Sequence, residues 1–227
     1  MKNNFYTFAL IFWLSVAVAA CKKSNDGGQT TNSSTENFQP NTAGSTWSYS
    51  AVSSSSGTAA YTLTATSKDT VVNGISYKVF TNSAGPNEYY NKTGVNYNRF
   101  SYFEALGQYV ELLYMKDNLK VGDSWRQTKS ATINGVTGTA ELECVVTEKG
   151  ISYAVGGNTF NGVTHIKINP TFYGGGLKLT NNKANIDYYF ANGIGFIYSN
   201  TDISVSIPLS DPYVFTGTVT LTAYNIK

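Results

Sequence analysis

Few side chains in this sequence are equipped for covalent chemistry. There are two cysteines, Cys21 and Cys144, and one histidine, His165. Cys144 lies in Ala140-Glu141-Leu142-Glu143-Cys144, where period-two alternation puts it on the apolar face with Ala140 and Leu142. It reads as a buried free thiol that packs as a small hydrophobe. Ser124 would act as a nucleophile only with an activating base and an orienting group. His165 has no cysteine or carboxylate at metal-ligand spacing and reads as a half-buried strand residue. Glu88 and Asp187 each precede a Tyr-Tyr pair. Two carboxylates brought together can do general acid–base work; as separate strand residues they are expected to stay solvated. The pairs themselves, Tyr89-Tyr90 and Tyr188-Tyr189, are the candidate ligand-contact aromatics. Adjacent residues on a strand face opposite sides, so one ring of each pair points outward, where it could stack on a sugar. No calcium loop is present, and the glycine run Tyr173 to Leu177 lacks the Gly-Lys-Ser/Thr of a phosphate loop. The expectation is no catalytic residue, no metal and no cofactor.

Two short resemblances bear on this. Gly122-Asp123-Ser124 resembles the nucleophile block of the GDS-type lipases and esterases. That family also carries a late Asp-x-x-His motif, which this chain lacks. Asp69-Thr70-Val71 resembles the acceptor tripeptide of some bacterial O-glycosylation systems.

Cys21 is different, because its surroundings specify a modification. Met1 to Ala20 has the three parts of an export signal: Lys2, the uncharged apolar run Phe5 to Ala17, and the small residues Val18-Ala19-Ala20. Asn3 to Ala20 is too short and too polar at its start for a span, which needs about 20 apolar residues. Leu14 to Cys21 resembles a bacterial lipobox. The resemblance implies a diacylglycerol thioether on Cys21, cleavage before it and acylation of the new amino terminus. Each buried methylene contributes about 0.8 kcal/mol, so several acyl chains hold firmly. Lys22-Lys23 follow, with no aspartate to resemble an inner-membrane retention signal. The outer membrane is the expected location, with either face open.

The elements that must position the remaining residues follow from composition and pattern. Residues 1–20 read as signal peptide, 21–43 as a lipidated, flexible tether with almost no apolar residues, and 44–227 as one β domain. Net charge is +2 with only 13% charged residues, which argues against a polyanion such as nucleic acid. Seventeen tyrosines and 21 glycines favour strands and turns. Tyr61 to Thr66 and Thr218 to Ala223 alternate with period two. Asn-Gly pairs at Asn73, Asn134, Asn161 and Asn192 suit type I′ hairpin turns. From Tyr102 onward a short turn or helix is expected, then a strand from Tyr109.

Four blocks recur in order. Gly44-Ser45-Thr46-Trp47 matches Gly122-Asp123-Ser124-Trp125, and Gly57 to Leu63 matches Gly138 to Leu142. Asn73 to Tyr77 matches Asn161 to His165, and Glu88-Tyr89-Tyr90 matches Asp187-Tyr188-Tyr189. The reading is an internal repeat, about 44–120 and 121–200, with closing strands in 201–227. The fold class is all-β: two tandem antiparallel β-meanders, with little helix, curled into a half-barrel or sandwich that protects its edges.

The lipobox, Gly-x-x-Trp at Gly44, Val121 to Trp125, and Tyr-Tyr-x-x-x-Gly-Ile-Gly at Tyr188 to Gly195 together resemble a group of uncharacterised bacterial outer-membrane lipoproteins. The resemblance implies a curved antiparallel sheet similar to the lipoprotein-carrier half-barrel and transfers no activity. The expected function is a membrane-anchored, non-catalytic binding or structural module, with glycan or apolar ligand as candidate partners. A carrier of an apolar ligand would require a cavity lined by inward residues such as Leu63, Val79, Leu142 and Ile168. An atypical hydrolase would require an equipped Ser124 or a converging Glu88 and Asp187.

Overall fold

The computed structural model describes residues 36–103, 108–133, 135–209 and 211–227. The expected signal, Cys21 and most of the tether lie outside them. The strands are β1 (Thr46–Ser53), β2 (Gly57–Val72), β3 (Ile75–Asn82), β4 (Glu88–Thr93), β5 (Asn96–Phe103), β6 (Gln108–Lys116) and β7 (Ser124–Ile133). They continue as β8 (Val136–Val155), β9 (Asn158–Gly174), β10 (Leu177–Lys178), β11 (Thr180–Ala191), β12 (Gly195–Ser206) and β13 (Tyr213–Asn225). All join one antiparallel sheet, in the order β6-β5-β4-β3-β2-β1-β13-β12-β11-β9-β8-β7, with β10 paired to β9.

This order is two meanders joined through the β1–β13 pairing, where Thr46 faces Asn225 and Ser53 faces Gly217. Within each meander neighbouring strands are joined by short local connections, with β10 between β9 and β11, whereas β6 and β7, consecutive in the chain, stand at opposite ends of the order. At Asn73-Gly74 both residues take positive φ, 51° and 81°, the type I′ geometry. Asn192-Gly193 lies in the β11–β12 turn, and Asn134 lies outside the described residues. Asn161-Gly162 departs from expectation: it sits inside β9, beside register shifts in the β8–β9 pairing, not at a hairpin turn. Tyr102 also differs. It is a strand residue of β5, paired with Tyr109 of β6, because cross-strand pairing outweighs the helical spacing of its apolar neighbours.

The sheet curls until its ends meet, giving a nearly closed barrel. The ends, β6 and β7, share no backbone ladder among the described residues. Side chains close the seam instead. Gln127 accepts from the Leu113 N–H through Oε1 at 3.1 Å and donates from Nε2 to the Leu113 carbonyl at 2.9 Å. Its amide thus stands where a neighbouring strand's peptide would. Trp125 Nε1 donates to the same carbonyl at 3.1 Å, and Gln108 Nε2 donates to the Ser130 carbonyl. An edge left with unpaired peptide groups invites foreign strands, and this seam covers it.

One end of the barrel is packed shut by Trp47, Phe80, Tyr97, Met115, Phe190 and Phe38. Phe38 corrects the expected boundary. It is fully buried, stands edge-on to Tyr97, and is flanked by Asn37, whose N–H donates to Asn192 Oδ1 at 2.8 Å. The folded part therefore includes Glu36 to Ala43 and does not begin at Gly44. Burial of the ring acts together with polar contacts: Gly193 N–H donates to the Asn37 carbonyl at 2.8 Å, the Tyr114 hydroxyl to Gln39 Oε1 at 3.1 Å, and Lys149 pairs with Glu36 at 3.0 Å.

The repeated blocks diverge in three dimensions. Gly44 and Gly122 both take positive φ, 86° and 92°, ahead of a strand whose second residue is a buried tryptophan. Trp47 donates to the Ile194 carbonyl at 2.7 Å, as Trp125 does to Leu113. Other matched positions take different roles. Gly57 forms a turn, whereas a Cβ on Gly138 would lie 1.8 Å from the Tyr173 carbonyl oxygen. The expected limit at residue 200 falls in mid-strand, within β12.

Candidate ligand-binding site

The inward side chains do not fill the barrel. Above the packed end lies a cavity of about 540 Å³, within the range of small-molecule sites. Its wall is largely apolar, with Leu112, Leu142, Ile168, Phe172, Ile203 and Phe215 among its members. Of the four inward residues expected to line it, Leu142 and Ile168 do so; Leu63 and Val79 are buried elsewhere. The mouth is formed by the β1–β2 turn at Ser53 and Ser56, the β3–β4 turn at Asn82 and Pro86, and Phe103 at the end of β5. Glu36 and Phe38 lie at the opposite, packed end, against Tyr97 and the β11–β12 turn.

The charged side chains that line this cavity, Glu88 and Arg99, lie at its floor. Alternation along β5 points Tyr97, Arg99 and Ser101 inward, and along β4 it points Glu88 and Tyr90 inward. Arg99 Nε lies 3.1 Å from Glu88 Oε2 and donates to Ser101 Oγ at 2.7 Å. The Tyr90 hydroxyl donates to the same Glu88 oxygen at 2.7 Å. The Arg99 guanidinium also stands 5.2 Å from the centre of the Phe103 ring, within cation–π range. Burial works to lower the pKa of Arg99, and Glu88 together with the Tyr90, Tyr188 and Tyr61 phenols outweighs it, so the guanidinium stays charged. Burial pushes the phenols of Tyr61 and Tyr188, which also line the cavity, above their ordinary value, so both are neutral donors.

The residues singled out from the sequence separate cleanly. Tyr90 and Tyr188 point inward, Tyr90 buried beneath the cavity and Tyr188 in its wall. Tyr89 and Tyr189 point outward. Tyr89 packs against Phe100, with centroids 5.9 Å apart. Tyr189 is stacked by His165 and by Tyr153, each at 4.1 Å, so its ring faces are taken. Glu88 is buried beside Arg99, which corrects the expectation of a solvated residue. Asp187 lies on the outer face, where Oδ1 meets His165 Nε2 at 2.8 Å while Glu148 reaches Nδ1 at 3.2 Å. Glu88 and Asp187 thus occupy opposite faces of the sheet and do not converge. Ser124 is exposed at the start of β7, and His165 is engaged with its two carboxylates. Asp69 is half-exposed and pairs with Lys78 at 2.7 Å. Cys144 is a free, fully buried thiol.

Arg99 escaped sequence reasoning. The one signal was parity: Tyr97, Arg99, Ser101 and Phe103 share a face, and a charge on an aromatic face needs an internal partner.

Fold and site together define an antiparallel barrel, closed at one end, with a ligand-sized internal cavity. No family model matches the chain, and neither does any curated protein. Among solved structures, the chain is similar to a protein from Parabacteroides distasonis ATCC 8503 described as a "putative lipoprotein". The TM-score is 0.52 at 11% identity, over 84% of this chain and 99% of that one. At this identity the likeness establishes the shared fold.

Proposed function

We propose that this chain is a lipid-anchored, non-catalytic carrier of a small apolar ligand at the bacterial cell envelope. The cavity carries this reading. A chain of this size ordinarily packs its interior to crystal-like density, so about 540 Å³ of apolar-walled space open at one end is a binding feature. Anchoring rests on the lipobox-like run ending at Cys21, and the lipoprotein description of the structural neighbour agrees with it. An outer-membrane location rests on Lys22-Lys23 in place of an aspartate. The non-catalytic reading rests on Glu88 and Asp187 standing on opposite faces, and on Ser124 having no hydrogen bond to His165, whose ring is held by Asp187 and Glu148.

The test is saturable uptake of N-phenylnaphthylamine, a neutral fluorophore that brightens in apolar sites, by the purified full-length chain. Uptake is expected, and Ser199→Phe, which fills the cavity from β12, should abolish it while near-UV circular dichroism shows a folded barrel. No saturable uptake by the unaltered chain would end the carrier reading. Anchoring is tested separately by incorporation of a clickable fatty acid: label that persists after Cys21→Ser would end that claim.

A further inference from the structure

The cavity floor is not chemically neutral toward its ligand. We propose that the site selects an apolar chain ending in a carboxylate, and that Arg99 is the residue that reads the head group. This rests on the carrier reading above.

The argument begins with which hydrogen-bonding groups are used up. Arg99 spends only Nε on the protein, toward Glu88 and Ser101. Its Nη1 and Nη2 make no hydrogen bond to any described residue. The side chain retains 21% of its surface although it sits on the inner face, so that surface opens into the cavity. Two parallel N–H donors on one planar edge match the two oxygens of a carboxylate. Tyr61 and Tyr188 add hydroxyls at the same level, and neither has a hydrogen-bond partner among the described residues. On the acceptor side, Glu88 Oε2 is occupied by Tyr90 and Arg99, which leaves Oε1 as the carboxylate's one open acceptor. The floor therefore offers more donors than acceptors, and an acceptor-rich head satisfies it.

Glu88 is what makes the arrangement stable without ligand. An unpaired guanidinium inside the barrel would carry a heavy desolvation cost. Glu88 offsets that cost from the Nε side and leaves the Nη edge clear. Tyr90 then supports Glu88 from below. Above the floor the wall is mainly apolar, with the Ser199 and Thr201 hydroxyls on β12 among its few polar groups, so most of the remaining ligand must be hydrocarbon. A sugar or peptide would leave most of its polar groups unpaired there.

The experiment is displacement of N-phenylnaphthylamine from the full-length chain by dodecanoate, methyl dodecanoate and dodecanol. Dodecanoate should displace the probe at about tenfold lower concentration, or better, than the two uncharged analogues, the value of one charge-assisted pair. Arg99→Met alone strands the Glu88 charge, so the informative variant is Glu88→Gln with Arg99→Met. It should lose the preference for dodecanoate, read as the ratio of displacing concentrations of the three ligands, a ratio that does not depend on how tightly the probe itself binds. Equal displacement by all three ligands, or an unchanged preference in the double variant, would overturn the head-group assignment and leave the carrier reading intact. Absence of probe uptake by the unaltered chain would remove both.

Discussion

Arg99 and Glu88 form an ion pair across adjacent strands inside the barrel, Nε to Oε2 at 3.1 Å, with Tyr90 bound to the same carboxylate oxygen. Burial makes the pair asymmetric to mutation. Removing one partner leaves an uncompensated charge, whereas removing both leaves none. Glu88→Ala should cost about 3–5 kcal/mol of unfolding free energy in urea denaturation. The double change Glu88→Gln with Arg99→Met should cost clearly less. Equal losses would mean the charges do not interact as placed.

Gln127 and Leu113 carry the seam between β6 and β7. Gln127→Leu keeps the bulk, leaves the Leu113 N–H without its partner and leaves the Leu113 carbonyl to Trp125 alone. The expected loss is about 1–3 kcal/mol. Amide exchange at Leu113 should quicken more than at residues in the paired strands, and uniform exchange would argue for a backbone-closed barrel.

Phe38 belongs to the core although it sits in a polar stretch. Phe38→Ala should lower stability by about 3–5 kcal/mol, as deletion of a buried aromatic does. A chain shortened to begin at Gly44 should show the same loss in thermal melts. An unchanged melt would return residues 36–43 to the tether.

Alkaline pH should unfold the protein. Burial raises the phenols of Tyr49, Tyr90 and Tyr114 well above their ordinary value, and pushes the Cys144 thiol up to about 12. In each case the folded state keeps a proton that the unfolded chain releases, so stability falls as pH rises through the unfolded values. Loss of near-UV circular dichroism should begin above about pH 9–10, together with tyrosinate absorbance. Below that range Cys144 should resist iodoacetamide in the folded protein and react once urea unfolds it.

Much of the architecture was legible because strands write their geometry locally. Alternation at Tyr61 to Thr66 and the Asn73-Gly74 turn are consequences of backbone sterics and a two-residue period. The facing of each tyrosine pair followed from the same period. The repeated blocks were a weaker guide. They marked two glycine turns before tryptophans, but Asn161-Gly162 fell inside a strand, and Glu88 and Asp187 fell on opposite faces. A register shift of one residue exchanges the faces of every later side chain, and no short block reports such shifts.

The candidate site was less legible. That Arg99 meets Glu88 depends on the pairing of β4 with β5, and that Gln127 meets Leu113 depends on how far the sheet curls. Taken alone, the sequence determined an antiparallel all-β chain with few groups suited to catalysis, since residue type and local period suffice for both. Only the tertiary structure decided that the sheet closes side chain to side chain, that Phe38 joins the core, and that the barrel holds a cavity with an arginine at its floor. Those features depend on total curvature and on the volume left after all inward side chains are packed, which no local stretch of sequence encodes.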